Sequence, residues 1–268
     1  MNKLLYTLFL LGVLTSCGKS YSVQGSSNVA TLDGRMLYLK VLKNNELKNV
    51  DSCEVIHGQF RFAGNIDSTK MATIFMDDES IMPIVLEGGE IIIKLDNTQQ
   101  SVSGTPLNDK LFEFIDKYNQ LQGMVSELGH KQSQAIMDGE DEAVTNARLA
   151  QEANVIAMRE DSLVTNFITD NFDNVLGPGV FMMVTAGYRF PELTPWIEDI
   201  MSKATEYFKN DPYVKDYYQK AQENQAIMNG MATPDVAPAQ TAPQTQAPAV
   251  SLPVDSTLNS APLTKSPK

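Results

Sequence analysis

Basic residues are scarce in this chain: 21 Lys+Arg stand against 33 Asp+Glu over 268 residues, a formal net charge of −12 and a pI near 4.6. No Lys/Arg cluster interrupts that acidity, so a nucleic-acid partner is not expected, because neutralising phosphates needs a basic face. Cysteine and histidine are rarer still, two of each, and there is one tryptophan. Two cysteines cannot staple a small disulfide scaffold. Long apolar runs are also missing. Only Leu4 to Leu14 approaches membrane length, well short of the roughly 20 residues a spanning helix requires. The bulk of the chain is therefore a water-facing acidic protein of one or two domains.

What is present begins at the N-terminus. Met1-Asn2-Lys3 is a short positive region, Leu4 to Leu14 an apolar one, and Leu14-Thr15-Ser16-Cys17 follows at once, the order of a secretory signal peptide. Those last four residues resemble the lipobox of bacterial lipoproteins, in which the cysteine thiol receives a diacylglyceryl group and the preceding peptide is removed. The resemblance implies lipidation at Cys17, cleavage after residue 16, and a membrane partner reached through the N-terminal lipid. Several acyl chains together hold firmly, since each buried methylene contributes about 0.8 kcal/mol. An ordinary cleaved signal or an uncleaved anchor is the alternative reading. With no acidic run after Cys17, the expected location is the cell envelope, on the periplasmic face of the outer membrane. Cys53 then remains as the one thiol, read as a small buried apolar residue in a strand or as an intermolecular partner.

From Tyr21 to Gln100, short runs of alternating or continuous apolar residues are separated by turn residues, predicting seven or eight strands in an antiparallel β-sandwich or open barrel over 22–104. Gly88-Gly89 reads as a tight hairpin link between Ile81–Leu86 and Glu90–Leu95. After Gly104-Thr105-Pro106 the apolar spacing changes to three and four. Leu107, Leu111, Phe112, Phe114, Ile115, Tyr118 and Leu121 mark a helix capped by Thr105. A second long helix is expected from Asp141 to Phe172 on the stripe Val144, Leu149, Ala153, Ile156, Leu163, Phe167 and Ile168, broken by Gly177-Pro178-Gly179. Two further helices are expected over Pro191–Lys203 and Asp211–Met228. The fold class is thus α+β, with a helical unit over 105–228. Beyond Asn229, Pro, Ala, Gln, Ser and Thr dominate without apolar periodicity, so residues 229–268 are expected to be a disordered tail.

One stretch carries a family likeness. Val50 to Gly64 (VDSCEVIHGQFRFAG), Val85-Leu86-Glu87-Gly88-Gly89, Ile91-Ile92-Ile93 and Val102 to Asn108 together resemble an uncharacterised N-terminal β-domain of envelope lipoproteins. In that family it often precedes a thioredoxin-like thiol-disulfide oxidoreductase domain. The resemblance, over about residues 21–125, implies fold and location. The catalytic domain itself is not expected here, since no Cys-x-x-Cys occurs in the sequence and the Pro/Ala/Gln tail follows the helices.

His57 and His130 have no second ligand at a metal-binding spacing, so no metal site is expected. Asp77-Asp78-Glu79 reads as a solvated turn, and Glu140-Asp141-Glu142 as the acidic start of a helix. No nucleophile elbow, phosphate loop or dinucleotide fingerprint appears, and no cofactor is expected. Trp196, Tyr207, Phe208, Tyr213, Tyr217 and Tyr218 recur at helical spacing and read as packing, with Trp196 and Phe208 in the core. The expected function is that of a non-enzymatic binding or scaffolding module, with an envelope protein as partner. The alternative is an accessory or docking partner for a separate periplasmic thiol-disulfide oxidoreductase.

Overall fold

A computed structural model describes residues 19–43, 46–97 and 99–231. Cys17 and the segment 232–268 lie outside the described residues, as do the readings of lipidation and of a disordered tail that fall on them.

Eight strands come first: β1 (Lys19–Ser27), β2 (Met36–Lys43), β3 (Glu46–Glu54), β4 (Gln59–Ile66), β5 (Lys70–Met76), β6 (Glu79–Leu86), β7 (Gly89–Leu95) and β8 (Gln100–Ser103). They form two four-stranded sheets, ordered β4-β1-β7-β8 and β3-β2-β5-β6. Of the two architectures expected, the sandwich is the one found. The sheets are not purely antiparallel, however, because β1 runs parallel to β7, with Val23 opposite Ile91 and Gly25 opposite Ile93. β1 also begins at Lys19, ahead of residue 22, where the β-domain was expected to start. Its period-two burial, with Tyr21 and Val23 facing in, makes it a central strand from its first residues.

The link Gly88-Gly89 is not a hairpin. β6 and β7 lie in different sheets, so the chain crosses the sandwich there and pairs with β1 instead of returning along β6. A true tight turn sits at His57-Gly58, where both residues have positive φ (51° and 70°) and Ile56 pairs with Gln59. Gly64 is needed for space and not for φ: a Cβ there would lie 2.9 Å from the Tyr21 hydroxyl. Gly25 likewise leaves room for the Phe60 ring, which would be 2.0 Å from a Cβ at that site.

The two sheets use their faces differently. In the β1 sheet, Val23, Phe60, Phe62, Ile91, Ile93 and Val102 point inward, and the other face, with Ser22, Gln24, Arg61 and Lys94, is open to water. In the β2 sheet, strands β5 and β6 are buried on both faces, which accounts for their unbroken apolar runs. Ile74, Met82 and Ile84 face the sandwich core. Met71 and Val85 face a layer of helices.

That layer consists of α1 (Pro106–Met137), α2 (Glu142–Thr169), α3 (Leu176–Thr185), α4 (Pro195–Lys203), the single turn α5 (Glu206–Lys209) and α6 (Pro212–Met228). The α1 cap differs from expectation. The Thr105 side chain makes no capping bond; instead the Glu87 carboxylate, on the β6–β7 link, accepts from the Leu107 and Asn108 N–H groups at 2.8 and 3.2 Å. Asn108, fully buried, donates to the Val85 carbonyl (2.7 Å) and to Thr105 Oγ1 (2.8 Å), and its Oδ1 accepts from the Val85 N–H (2.8 Å). The motif pieces Leu86-Glu87-Gly88-Gly89 and Gly104 to Asn108 are thus two halves of one sheet–helix joint.

Gly177-Pro178-Gly179 does not break a helix but opens one. The three residues lie in the first turn of α3, where proline's missing N–H has no partner to lose. The glycines allow close packing, since a Cβ at 177 would meet the Asn171 carbonyl at 2.4 Å and one at 179 the Met71 side chain at 2.6 Å. The helix expected to reach Phe172 ends at Thr169, and the helix expected from Pro191 starts at Pro195 behind a Thr194 cap. Phe181 is the hub of the helical core. Phe208 and Tyr217 meet it edge-on at 5.5 and 5.4 Å, and Trp196 stacks on it at 6.1 Å while donating to Thr165 Oγ1.

Candidate binding site on the helical arm

α1 and α2 have 32 and 28 residues, roughly 48 and 42 Å at 1.5 Å per residue. Only their near halves pack on the body. In α1 the buried residues are Asn108, Leu111, Phe112, Phe114 and Ile115, then nothing until Ala135; in α2, Val164 and Ile168 are buried near the body and Thr145, Leu149 and Ile156 farther out. Phe114 against Phe167, 4.4 Å between centroids, belongs to the last contact layer before the two helices run on as a bare pair.

This arm is closed at its tip by polar bonds. Asp141 caps α2 through the Val144 N–H (3.0 Å), and the Glu140 carboxylate holds Thr145 Oγ1 (2.9 Å) and Arg148 (3.3 Å). The acidic triplet at 140–142 therefore starts a helix, as its position implied. Across the arm Lys131 pairs with Glu152 at 2.7 Å and Gln132 bonds Asn146 at 3.0 Å, fixing which residues of the two helices stand level.

One face of the arm carries a groove of about 490 Å³, with Met124, Leu128, Val155 and Ile156 as its apolar floor and Glu127, Lys131, Arg148, Glu152 and Arg159 around it. A second depression continues it past Val155 and Arg159 to Met158, Ser162 and Leu163. Part of this apolar lining is open to water, Val155 being 44% exposed and Met158 69%, while Ile156 is buried between the two helices. Val144, read as part of the buried stripe, is 68% exposed, because nothing covers the arm where the stripe continues past the body. Among the described residues Arg159 makes no ion pair, whereas Lys131 and Arg148 are both held by glutamates. Flexible, polarisable methionines beside an apolar floor suit a surface that adapts to another protein.

Elsewhere the residues singled out from the sequence have structural roles. His57 is in the β3–β4 turn and His130 on the arm surface, so the two are not brought together. Asp77 forms a salt bridge with Arg35 at the β5–β6 turn. Cys53, in edge strand β3, is half-buried against the core, and burial pushes its thiol pKa up, which disfavours the nucleophilic thiolate. Among the described residues no three His, Cys, Asp or Glu side chains gather as a metal site, and no helix is long and apolar enough to cross a membrane. Sequence reasoning missed the groove, because its lining alternates apolar and charged residues in the manner of any amphipathic helix. The signal was the length of the two helices against the size of the body they could cover.

No curated protein matches the chain. Residues 21–111, from the first core residue of β1 to the second turn of α1, match the model of a family described as a domain of unknown function, DUF4369; the match takes in the sandwich and the Asn108 joint and stops before the arm.

Proposed function

We propose that this protein is a lipid-anchored envelope component, held through Cys17 at the periplasmic face of the outer membrane, and that it acts as a non-enzymatic binding or scaffolding module. The observation that carries the binding role is the exposed groove on the arm. An apolar floor rimmed by charges of both signs, on a helix pair that leaves the body behind, suits recognition of another protein surface. The lipobox at Leu14–Cys17 supports the anchoring.

The test is site-specific crosslinking in intact envelopes, with a photoreactive residue at Val155, and at Ile92 on the open face of the β1 sheet as the control. Protein adducts from Val155 and none from Ile92 support the reading. No adduct from Val155, or a measured hydrolase or reductase turnover by the purified chain, overturns it. Fatty-acid labelling should mark the protein and not a Cys17→Ala variant; an unlabelled parent protein would remove the anchor from the proposal. Adducts with a thioredoxin-like protein would favour the accessory role that the sandwich's family likeness suggests.

A further inference from the structure

Along α2 the residues Arg148, Glu152, Val155, Arg159 and Ser162 recur at spacings of four and three and so share one face of the helix, which carries charges of both signs around Val155. If a copy of α2 is laid antiparallel across a two-fold axis at Val155, each residue n faces residue 310 − n of the other copy. Arg148 then meets Ser162. Arg159, which has no ion-pair partner within the described residues, falls opposite Gln151 and beside Glu152 of the copy, once on each side of the axis. At the axis itself two Val155 side chains meet. Because Lys131 pins Glu152, Leu128, one turn earlier on α1, stands level with Val155 and Ile156, so the apolar floor of the groove is centred on the same axis.

We infer that the groove's occupant is a second copy of this chain, the two helical arms packing antiparallel face to face as a four-helix bundle. This rests on the reading of the groove as a protein-binding surface and names its partner. Charge argues for it: the rim carries both signs, so a two-fold arrangement supplies Arg159 with a carboxylate without placing like charges opposite each other, as an isologous interface requires. The contact is small: the stretch that overlaps across an axis at Val155, about residues 149–161, is roughly 20 Å long, which is the size of a weak, concentration-dependent dimer. Met124 and Met158 supply side chains that can fill the seam without exact shape matching.

The test uses the whole chain from residue 17 onward, carrying Cys17→Ala so that it stays in water. Sedimentation should show a monomer–dimer equilibrium. In a Cys53→Ser background, Val155→Cys should form a disulfide-linked dimer under mild oxidation, and Ile92→Cys should not. Arg159→Glu should weaken the dimer by about tenfold or more with an unchanged circular dichroism spectrum, since it sets two like-charge contacts against the seam. A chain that stays monomeric at roughly 100 µM, a range where weak specific dimers are populated, overturns the inference. So does Val155→Cys crosslinking no better than Ile92→Cys. If Val155 adducts in envelopes contain only other proteins while the purified chain is monomeric, this inference fails and the proposed function stands; if Val155 gives no adducts at all, both fail.

Discussion

Single residues in this molecule are constrained by space more than by chemistry. Gly25 is the clearest case, since the Phe60 ring lies where its Cβ would be. Gly25→Ala should cost about 2–3 kcal/mol in urea unfolding, a typical overpacking penalty, and a smaller amount in a Phe60→Leu background; equal costs in both backgrounds would refute the contact. Asn108 is the polar counterpart. Its amide satisfies both backbone groups of Val85 in a site closed to water, so Asn108→Ala should lose about 2–3 kcal/mol, mostly from the two groups left unpaired. Burial holds several tyrosines above their ordinary pKa, Tyr118 and Tyr217 furthest. Burial, helped by the nearby Glu160, raises the Tyr118 hydroxyl from 10.0 to about 12, and burial raises Tyr217 to about 12 as well. A folded-state pKa above the unfolded one means that the folded protein keeps protons the unfolded chain releases. Their contribution is fully present below pH 10 and is lost as pH rises toward 12. The melting temperature should fall across that window, and Tyr118→Phe should blunt the fall while removing one late-titrating group from the tyrosinate absorbance.

At the scale of elements, the sequence was readable where a rule is local and misleading where two structures share a local pattern. The alternation through Phe60 and Phe62, the apolar spacing of α1 and the Asp-Pro helix start at 211 all reflect backbone and side-chain preferences that act within a few residues, whereas the Thr-Pro start at 194 puts Pro195 four residues past the proline expected to open that helix. Gly88-Gly89 has the composition of a hairpin, yet whether β7 returns along β6 or crosses to β1 depends on a partner more than sixty residues away. Gly177-Pro178-Gly179 has the composition of a break, yet each residue is acceptable in a first helical turn, and only the nearness of Asn171 and Met71 explains the glycines. The groove was the least legible feature, because exposure of Met158 or Val144 is a property of what fails to cover them. The arm should also be separable. Replacing 124–158 with a short glycine-rich turn removes Ala135, Thr145, Leu149 and Ile156 from the buried set and leaves the sandwich and the Phe181 hub intact. The shortened protein should keep its strand signal and melt cooperatively within about 5 °C of the parent. Loss of cooperative melting would show that the arm stabilises the body.

Taken whole, the molecule is three layers, a sheet with one face open to water, a sheet whose strands β5 and β6 are buried on both faces, and helices, with the arm as an outgrowth of the third. The described chain begins in the middle of the first layer, with β1 held by β4 on one side and by β7 on the other. Mechanically this matters. A pull on the N-terminus along the strand loads both ladders in shear, so many hydrogen bonds must yield together, whereas an edge strand peeled from its end gives way one bond at a time. Stretched between its N-terminus and an attachment on the arm, the protein should therefore rupture in single-molecule pulling at a higher force than when the same load is applied across edge strand β3, making β1 the part of the fold best placed to bear a tether under tension.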